Sequence, residues 1–302
     1  MQTLTRAEGS KPEDFHLTKR GVASLFFAGY AVAAVSANAQ ATIVKTDTKG
    51  LITEEVKIPT KTVPLPAYVA RPNAAGAFPV VVVINEIFGI HEYIRDTCRR
   101  LAKLGYVAVA PAFFHRLGDP STMTDTAAIM RDIVGKTPMD QVMGDMTETV
   151  RWLKTQRFAD SGKMAVTGFC WGGGATWMTV ATVPGFKAGA AWYGPLARPA
   201  QPTAEVRKFP VEVAANLKAP VLGLYGGRDN GIPQNTVEEM RKQLVKAEKY
   251  GSTIVVYPEA QHGFHADYRA SYNAAAATDA WAKMVDFFSR NGVAPKKYTP
   301  RA

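Results

Sequence analysis

Cysteine is scarce in this sequence, two residues in 302, Cys98 and Cys170. One pair is too few for a disulfide-built scaffold, and a chain of this length does not need one. Count alone leaves a Cys98–Cys170 bridge open. Charge is modest at 21%, no long low-complexity tract interrupts the chain, and 47% of residues are hydrophobic. Intrinsic disorder is thereby excluded away from the ends. No repeat recurs at solenoid spacing, and no G-x-G-x-x-G string marks a dinucleotide fold. His262, His265 and Asp267 lie close together in the chain, but no second ligand cluster accompanies them, so no metal site is expected.

The formal net charge is +10, yet Lys and Arg are scattered. The only dense basic stretch is Pro295-Lys296-Lys297-Tyr298 to Arg301. A nucleic-acid partner is therefore not expected. The expectation is a solvated basic surface with a frayed basic tail over 292–302, and at most a weak attraction for anionic substrates.

At the other end, polar residues 1–15 lead to Thr18-Lys19-Arg20 and an apolar run from Gly21 to Ser36. The run closes on Ala37-Asn38-Ala39, with Ala39-Gln40-Ala41 as a second small-residue site. A basic region, a short apolar run and an A-x-A site make a secretory signal over residues 1–39. The run is shorter than the roughly twenty residues of a membrane span. Its long polar start and Lys19-Arg20 resemble a twin-arginine signal with lysine in the first position. Ordinary export, an uncleaved anchor and a buried N-terminal helix are the alternatives. Removal of residues 1–41, with four Lys/Arg and three Asp/Glu, changes the charge from +10 to +9. The expected location is the periplasm or the outside of the cell.

The remaining chain alternates strands with helices. Thr53–Ile58 and Leu65–Arg71 read as an antiparallel edge pair. Pro79–Ile84 is a solid apolar run, as expected of a strand buried on both faces. Further strands are predicted at Tyr106–Ala110, Met164–Thr167, Ala188–Trp192, Val221–Tyr225 and Thr253–Tyr257. Helices are predicted over Tyr93–Leu104, Asp140–Gln156, Gly172–Thr182, Pro233–Tyr250 and within Ser271–Arg290. The pattern predicts an α/β fold: a mostly parallel sheet of about seven to eight strands, helices on both faces, one domain over residues 50–291. In such sheets the site forms at the carboxyl ends of the strands.

One of those ends carries Gly168-Phe169-Cys170-Trp171-Gly172-Gly173, between a strand and a helix. This is the shape of a G-x-S-x-G nucleophile elbow with cysteine for serine. Glycines at 168 and 172 let neighbouring backbones close on a strained turn. The helix N-terminus next to the sulfur favours a thiolate. A phosphate-cradling turn and a buried structural cysteine are the competing readings.

The partners follow in the chain order of that fold, nucleophile, acid, histidine. Asp229 ends Tyr225-Gly226-Gly227-Arg228-Asp229, although a turn aspartate is common in Asp-Asn-Gly. His262 lies in Gln261-His262-Gly263-Phe264 after the last strand. His265 is its nearest rival, His91 and His115 are weaker ones, and His16 falls in the signal. Histidine would take the thiol proton and aspartate would orient the ring. Asn85-Glu86-Ile87-Phe88-Gly89 follows the central strand, so the backbone N–H groups of Ile87 and Trp171 are the expected oxyanion donors. Glu86 faces the site, or caps the next helix.

With these strings in hand, the chain resembles the dienelactone hydrolase family (carboxymethylenebutenolidases) over about residues 50–290. The resemblance rests on Asn85–Gly89, Gly168–Gly173, Gly226–Asp229 and His262–Phe264. It implies an α/β-hydrolase fold, a Cys170–His262–Asp229 triad and no cofactor. It implies that Glu86 holds the thiol in the resting enzyme until substrate displaces the carboxylate. Phe88, Tyr193 and Phe264 are assigned to the pocket, with core packing as the other reading of Tyr193. Members acting on dienelactone hold its carboxylate with arginines. Here Ala266 stands at one such place, Arg269 slightly further on, and Arg131 is the best match for the other. Cys98 falls inside a helix away from the strand ends, which predicts a buried, inert thiol and no bridge.

The expected function is cysteine-dependent hydrolysis of a small ester or enol-lactone through an acyl-cysteine, by a monomer or homodimer. A general carboxylesterase or thioesterase is the alternative within the enzyme class. A non-catalytic periplasmic binding protein on the same scaffold is the alternative outside it.

Overall fold

The computed structural model describes residues 44–198 and 208–301. The predicted signal, residues 1–39, lies outside the described residues. Eight strands form one sheet: β1 (Leu51–Ile58), β2 (Leu65–Pro72), β3 (Phe78–Ile84), β4 (Val107–Pro111), β5 (Ala159–Phe169), β6 (Phe186–Trp192), β7 (Val221–Gly226) and β8 (Thr253–Tyr257). Their order is β1-β2-β4-β3-β5-β6-β7-β8. β1 pairs antiparallel with β2 and β2 antiparallel with β4, while every other pairing is parallel.

Four longer helices lie between successive strands, α1 (Glu92–Leu104), α2 (Met139–Leu153), α3 (Trp171–Thr182) and α4 (Gln234–Lys246), and a fifth, α5 (Ala274–Arg290), follows β8. β3 and β7 are buried along their whole lengths, which requires cover on both sheet faces. Each fully buried Val or Ile on β3 contributes roughly 1.5–3 kcal/mol. α3 is equally apolar, buried from Trp171 to Ala181, and carries no charge. α1 is amphipathic and ends at Gly105, whose φ of 104° only glycine adopts without strain. The elements agree with expectation to within a few residues, except that β5 begins five residues earlier than Met164 and contains an irregularity at Met164/Ala165. No helix of the described residues is long and apolar enough to cross a membrane.

The tail is not frayed, contrary to expectation. Val293 is buried, and its carbonyl accepts from the Tyr106 hydroxyl at 2.9 Å. Tyr298 meets Phe78 edge-on at 5.8 Å, the Lys296 ammonium lies 4.8 Å over the same ring, and Arg301 N–H donates to Asn73 O at 2.7 Å. The apolar bodies of these basic and aromatic residues, more than their charge, decide where the tail lies.

Cys98 lies on the buried side of α1, and burial pushes its thiol well above the usual cysteine range. A folded Cys170→Ala chain should therefore give no fast thiol reaction with an aromatic disulfide reagent, and one equivalent after denaturation. A fast equivalent from the folded variant would contradict this placement.

Candidate active site

Cys170 stands between β5 and α3 with φ 57° and ψ −120°. A non-glycine residue at positive φ is held only where its surroundings over-determine it. Here they do. A Cβ on Gly168 would stand 2.2 Å from Gly172 O, and one on Gly172 would stand 2.5 Å from Ile84 O and Asn85 O. Cys170 N–H donates to Trp192 O at 3.0 Å, and the Gly173 and Gly174 N–H groups point back at Cys170 O. The turn is thus wedged between the ends of β3 and β6. The glycines are a packing requirement, as the sequence pattern implied.

The loops after β7 and β8 bring Asp229 and His262 together. Gly226 and Gly227 leave room for the chain at 258–260, since a Cβ on either would meet Ala260 O or Pro258 O at 2.4–2.5 Å. Gly227 N–H donates to Tyr257 O and Arg228 N–H to Ala260 O. Across this contact, Asp229 Oδ2 lies 2.8 Å from His262 Nδ1, both side chains being almost wholly buried. Asp229 Oδ1 accepts from Gly231 N–H at 2.8 Å and Ile232 N–H at 3.1 Å. One oxygen thus makes the contacts of a turn aspartate and the other faces the imidazole.

Burial lowers the affinity of His262 for a proton. The charge of Asp229, the charge Cys170 carries when ionised, and hydrogen bonding to both outweigh that, and raise His262 from 6.5 to about 10. Nearby opposite charge dominates desolvation here. Tyr193 packs its ring edge-on against His262 at 5.3 Å. It is buried, has φ 37°, and also touches Phe264.

Glu86 is fully buried at the end of β3 and remains ionised, for three groups face its carboxylate. Arg269 Nη2 donates to Oε1 at 2.7 Å, Tyr268 OH donates to Oε2 at 2.7 Å, and His91 Nε2 stands 3.1 Å from Oε2. Desolvation pushes this acid up, but the Arg269 charge and then His91 and Tyr268 hold it down at about 2. It does not cap α1, whose N-cap is His91, with no side-chain cap bond. Phe88 lies 5.6 Å from the Arg269 guanidinium. Among the described residues, the amides of Ile87 and Trp171 donate to no backbone carbonyl in a loop or turn. Trp171 is the first residue of α3, where an amide has no acceptor within the helix.

A rival base and a candidate pocket residue lie in other environments. His265, the rival base, is a neutral core residue: Tyr93 OH lies 2.6 Å from its Nδ1, and it stacks on Trp281 and Phe169. Burial and the Arg100 charge lower it to about 3. Arg131 is exposed and pairs with its neighbour Asp132, so the structure does not bring it to the cluster. The side chain of Arg131 projects from a short helical stretch at Ile129–Ile133 whose buried face is Ile129 and Ile133, leaving the arginine in solvent. The sequence had not singled out Tyr268, and had weighed His91 only as a weak rival base. His91 lies just before a predicted helix, and Tyr268 just before the candidate Arg269, which is as much signal as the sequence offers.

A profile of the Dienelactone hydrolase family matches residues 65–292. The chain belongs to the dienelactone hydrolase family. Among its relatives, a Methylorubrum extorquens protein named "Putative carboxymethylenebutenolidase" is 49% identical over 273 residues, covering 90% of this chain and 92% of that one. An Escherichia coli protein of the same name is 44% identical over 252 residues, covering 83% and 92%. The crystal structure of a "Putative Dienelactone Hydrolase" from Klebsiella pneumoniae is 46% identical, with a TM-score of 0.75, over 80% of this chain and 99% of that one. Membership brings the α/β-hydrolase fold and the class of chemistry, hydrolysis at an ester or lactone bond.

The raised His262 makes a signed prediction. A group whose folded pKa lies above its unfolded value adds stability in full below the unfolded value, here near 6.5, and loses it as pH rises through about 10. The stability advantage of the native chain over Asp229→Asn, from urea unfolding at several pH values, should therefore be largest below pH 6.5 and shrink toward and beyond 10. A constant or growing advantage would contradict the coupling of the two side chains.

Proposed function

We propose that this family member hydrolyses small esters or enol-lactones with Cys170 as nucleophile. The observation that carries the reading is the buried His262–Asp229 bond, 2.8 Å long, with Cys170 among the groups that raise the imidazole. His262 withdraws the thiol proton and Asp229 fixes its tautomer. The thiolate adds to the substrate carbonyl, and the oxyanion takes hydrogen bonds from the amides of Ile87 and Trp171. The tetrahedral intermediate collapses, the C–O bond breaks, and His262 returns its proton to the leaving alkoxide or enolate. Water, deprotonated by His262, then attacks the acyl-cysteine, releasing the acid and restoring the thiol.

Glu86 is the thiol-regulating carboxylate in this reading. Its carboxylate is bonded to Arg269, Tyr268 and His91, which supports a role for these groups in drawing the acid aside when substrate displaces it, leaving the cysteine to His262. Arg269 is already committed to Glu86, which argues against its holding a substrate carboxylate unaided, and Arg131 offers no second clamp. A substrate without a carboxylate fits this charge balance better than dienelactone itself. Tyr193, Phe88 and Phe264 supply the aromatic wall beside it. We further propose that residues 1–39 direct export, so that the enzyme works outside the cytoplasm, as a monomer or homodimer.

Cys170→Ala should abolish turnover of p-nitrophenyl acetate and of small enol-lactones, by a factor on the order of 10³ or more, while circular dichroism stays native. Cys170→Ser keeps the geometry without the thiolate and should retain a trace. Undiminished turnover in the alanine variant would end this proposal. A wild-type rate on simple esters well above that on enol-lactones would favour the general esterase.

A further inference from the structure

The loop that carries His262 also carries His265, Asp267 and Arg269, and it is held from outside by α1. Tyr93 and Arg100 lie about two turns apart on one face of that helix. Tyr93 OH reaches His265 Nδ1 at 2.6 Å, and Arg100 pairs with Asp267. Asp96, one turn before Arg100, accepts from Arg100 Nε at 2.5 Å and Arg99 Nη2 at 3.0 Å. Asp96 and Asp267 are each only 2% exposed. Two buried carboxylates thus face two guanidinium groups, and each needs further donors to offset its lost hydration.

Those donors come from the first described residues of the chain. Thr46 N–H donates to Asp96 Oδ1 at 2.6 Å, and Val44 N–H donates to Asp267 Oδ2 at 3.3 Å. In return Thr46 O accepts from Arg99 Nε at 2.9 Å. The segment is tied down by backbone groups, with Asp47 and Lys103 pairing at its exposed end. Cutting the charge cluster would release the loop between the imidazole and the arginine that holds Glu86.

We propose that Val44–Thr46 form a strap which, through Asp96, Arg100 and Asp267, positions the His262–Arg269 loop, making Arg100 and Asp267 positioning residues for the site. The inference rests on the hydrolase reading for what is positioned, but not for the bracing itself. Processing that leaves Val44–Thr46 in place would yield a competent site, and trimming past Thr46 would not.

The test uses the full chain. Thr46→Pro deletes one amide donor. Arg100→Lys keeps the charge but cannot span two carboxylates. Asp267→Asn removes the charge without changing the shape. Asp47→Asn, at the exposed pair, is the control and should stay within about twofold of wild type. Hydrogen exchange should rise in peptides covering residues 262–270 in Thr46→Pro and Arg100→Lys, and stay native at residues 78–84. kcat/KM for p-nitrophenyl acetate should fall on the order of tenfold, mostly in kcat, and the pH profile of Cys170 alkylation by iodoacetamide should shift. Unchanged exchange at 262–270 in folded variants would overturn the proposal. So would an equal rise at residues 78–84, because a brace acts locally. Exchange and alkylation need no ester substrate, so failure of the wild-type chain to turn over esters would count against the hydrolase reading alone.

Discussion

A cysteine is forced into a left-handed backbone conformation at the end of β5, and the rest of the site depends on that one constraint. Residues held this way cost about 1–3 kcal/mol and persist only where packing over-determines them. Here the packing is backbone against backbone: Gly168 against Gly172, Gly172 against the end of β3, Gly173 against Trp192 O. The result is a sulfur at the first turn of α3, beside the amide of Trp171 and the chain that follows β3. A side chain at any of those glycines would push the strands apart and lose the geometry of the turn.

Around that turn the molecule buries charge, which is costly unless each charge is paired. Asp229 has a donor on each oxygen side, and Glu86 is faced by Arg269, Tyr268 and His91. The two carboxylates divide the work. One shapes the imidazole, and the other is locked to an arginine on the same loop as that imidazole. Neutral His265, enclosed by Trp192, Phe169 and Trp281, fills space that a charged group could not. Proximity in the chain therefore does not make two histidines equivalent. His262 faces two groups that favour its charge, and His265 faces aromatic rings and a cationic arginine.

Much of this was legible in the sequence because an α/β sheet writes its strands as apolar runs and its site just after them. β3 and β7 read directly, and Cys170, Asp229 and His262 each follow such a run. What was not legible involves contacts between distant segments with no periodic signal. The hydroxyl of Tyr268 on Glu86 spans a sequence separation of 182. The docked tail reads as a charged, frayed end until Phe78 is seen beneath Lys296 and Tyr298. Arg131 follows from the family resemblance alone, and a resemblance carries no information about which side of a short helical turn faces water. The position of Glu86 after β3 is readable from the chain, but its bonds to Arg269, Tyr268 and His91 join segments far apart in sequence.

In the proposed mechanism the acyl group passes through the sulfur of Cys170. Rapid acid quench of the enzyme during turnover of p-nitrophenyl acetate, followed by peptide mass spectrometry, would trap it there. A single acetyl adduct is expected on the peptide containing Cys170, formed as the first equivalent of p-nitrophenol is released and absent in Asp229→Asn at the same times. An adduct on another residue, or steady turnover with no adduct on Cys170 under quench conditions that preserve an acetyl thioester standard, would contradict it.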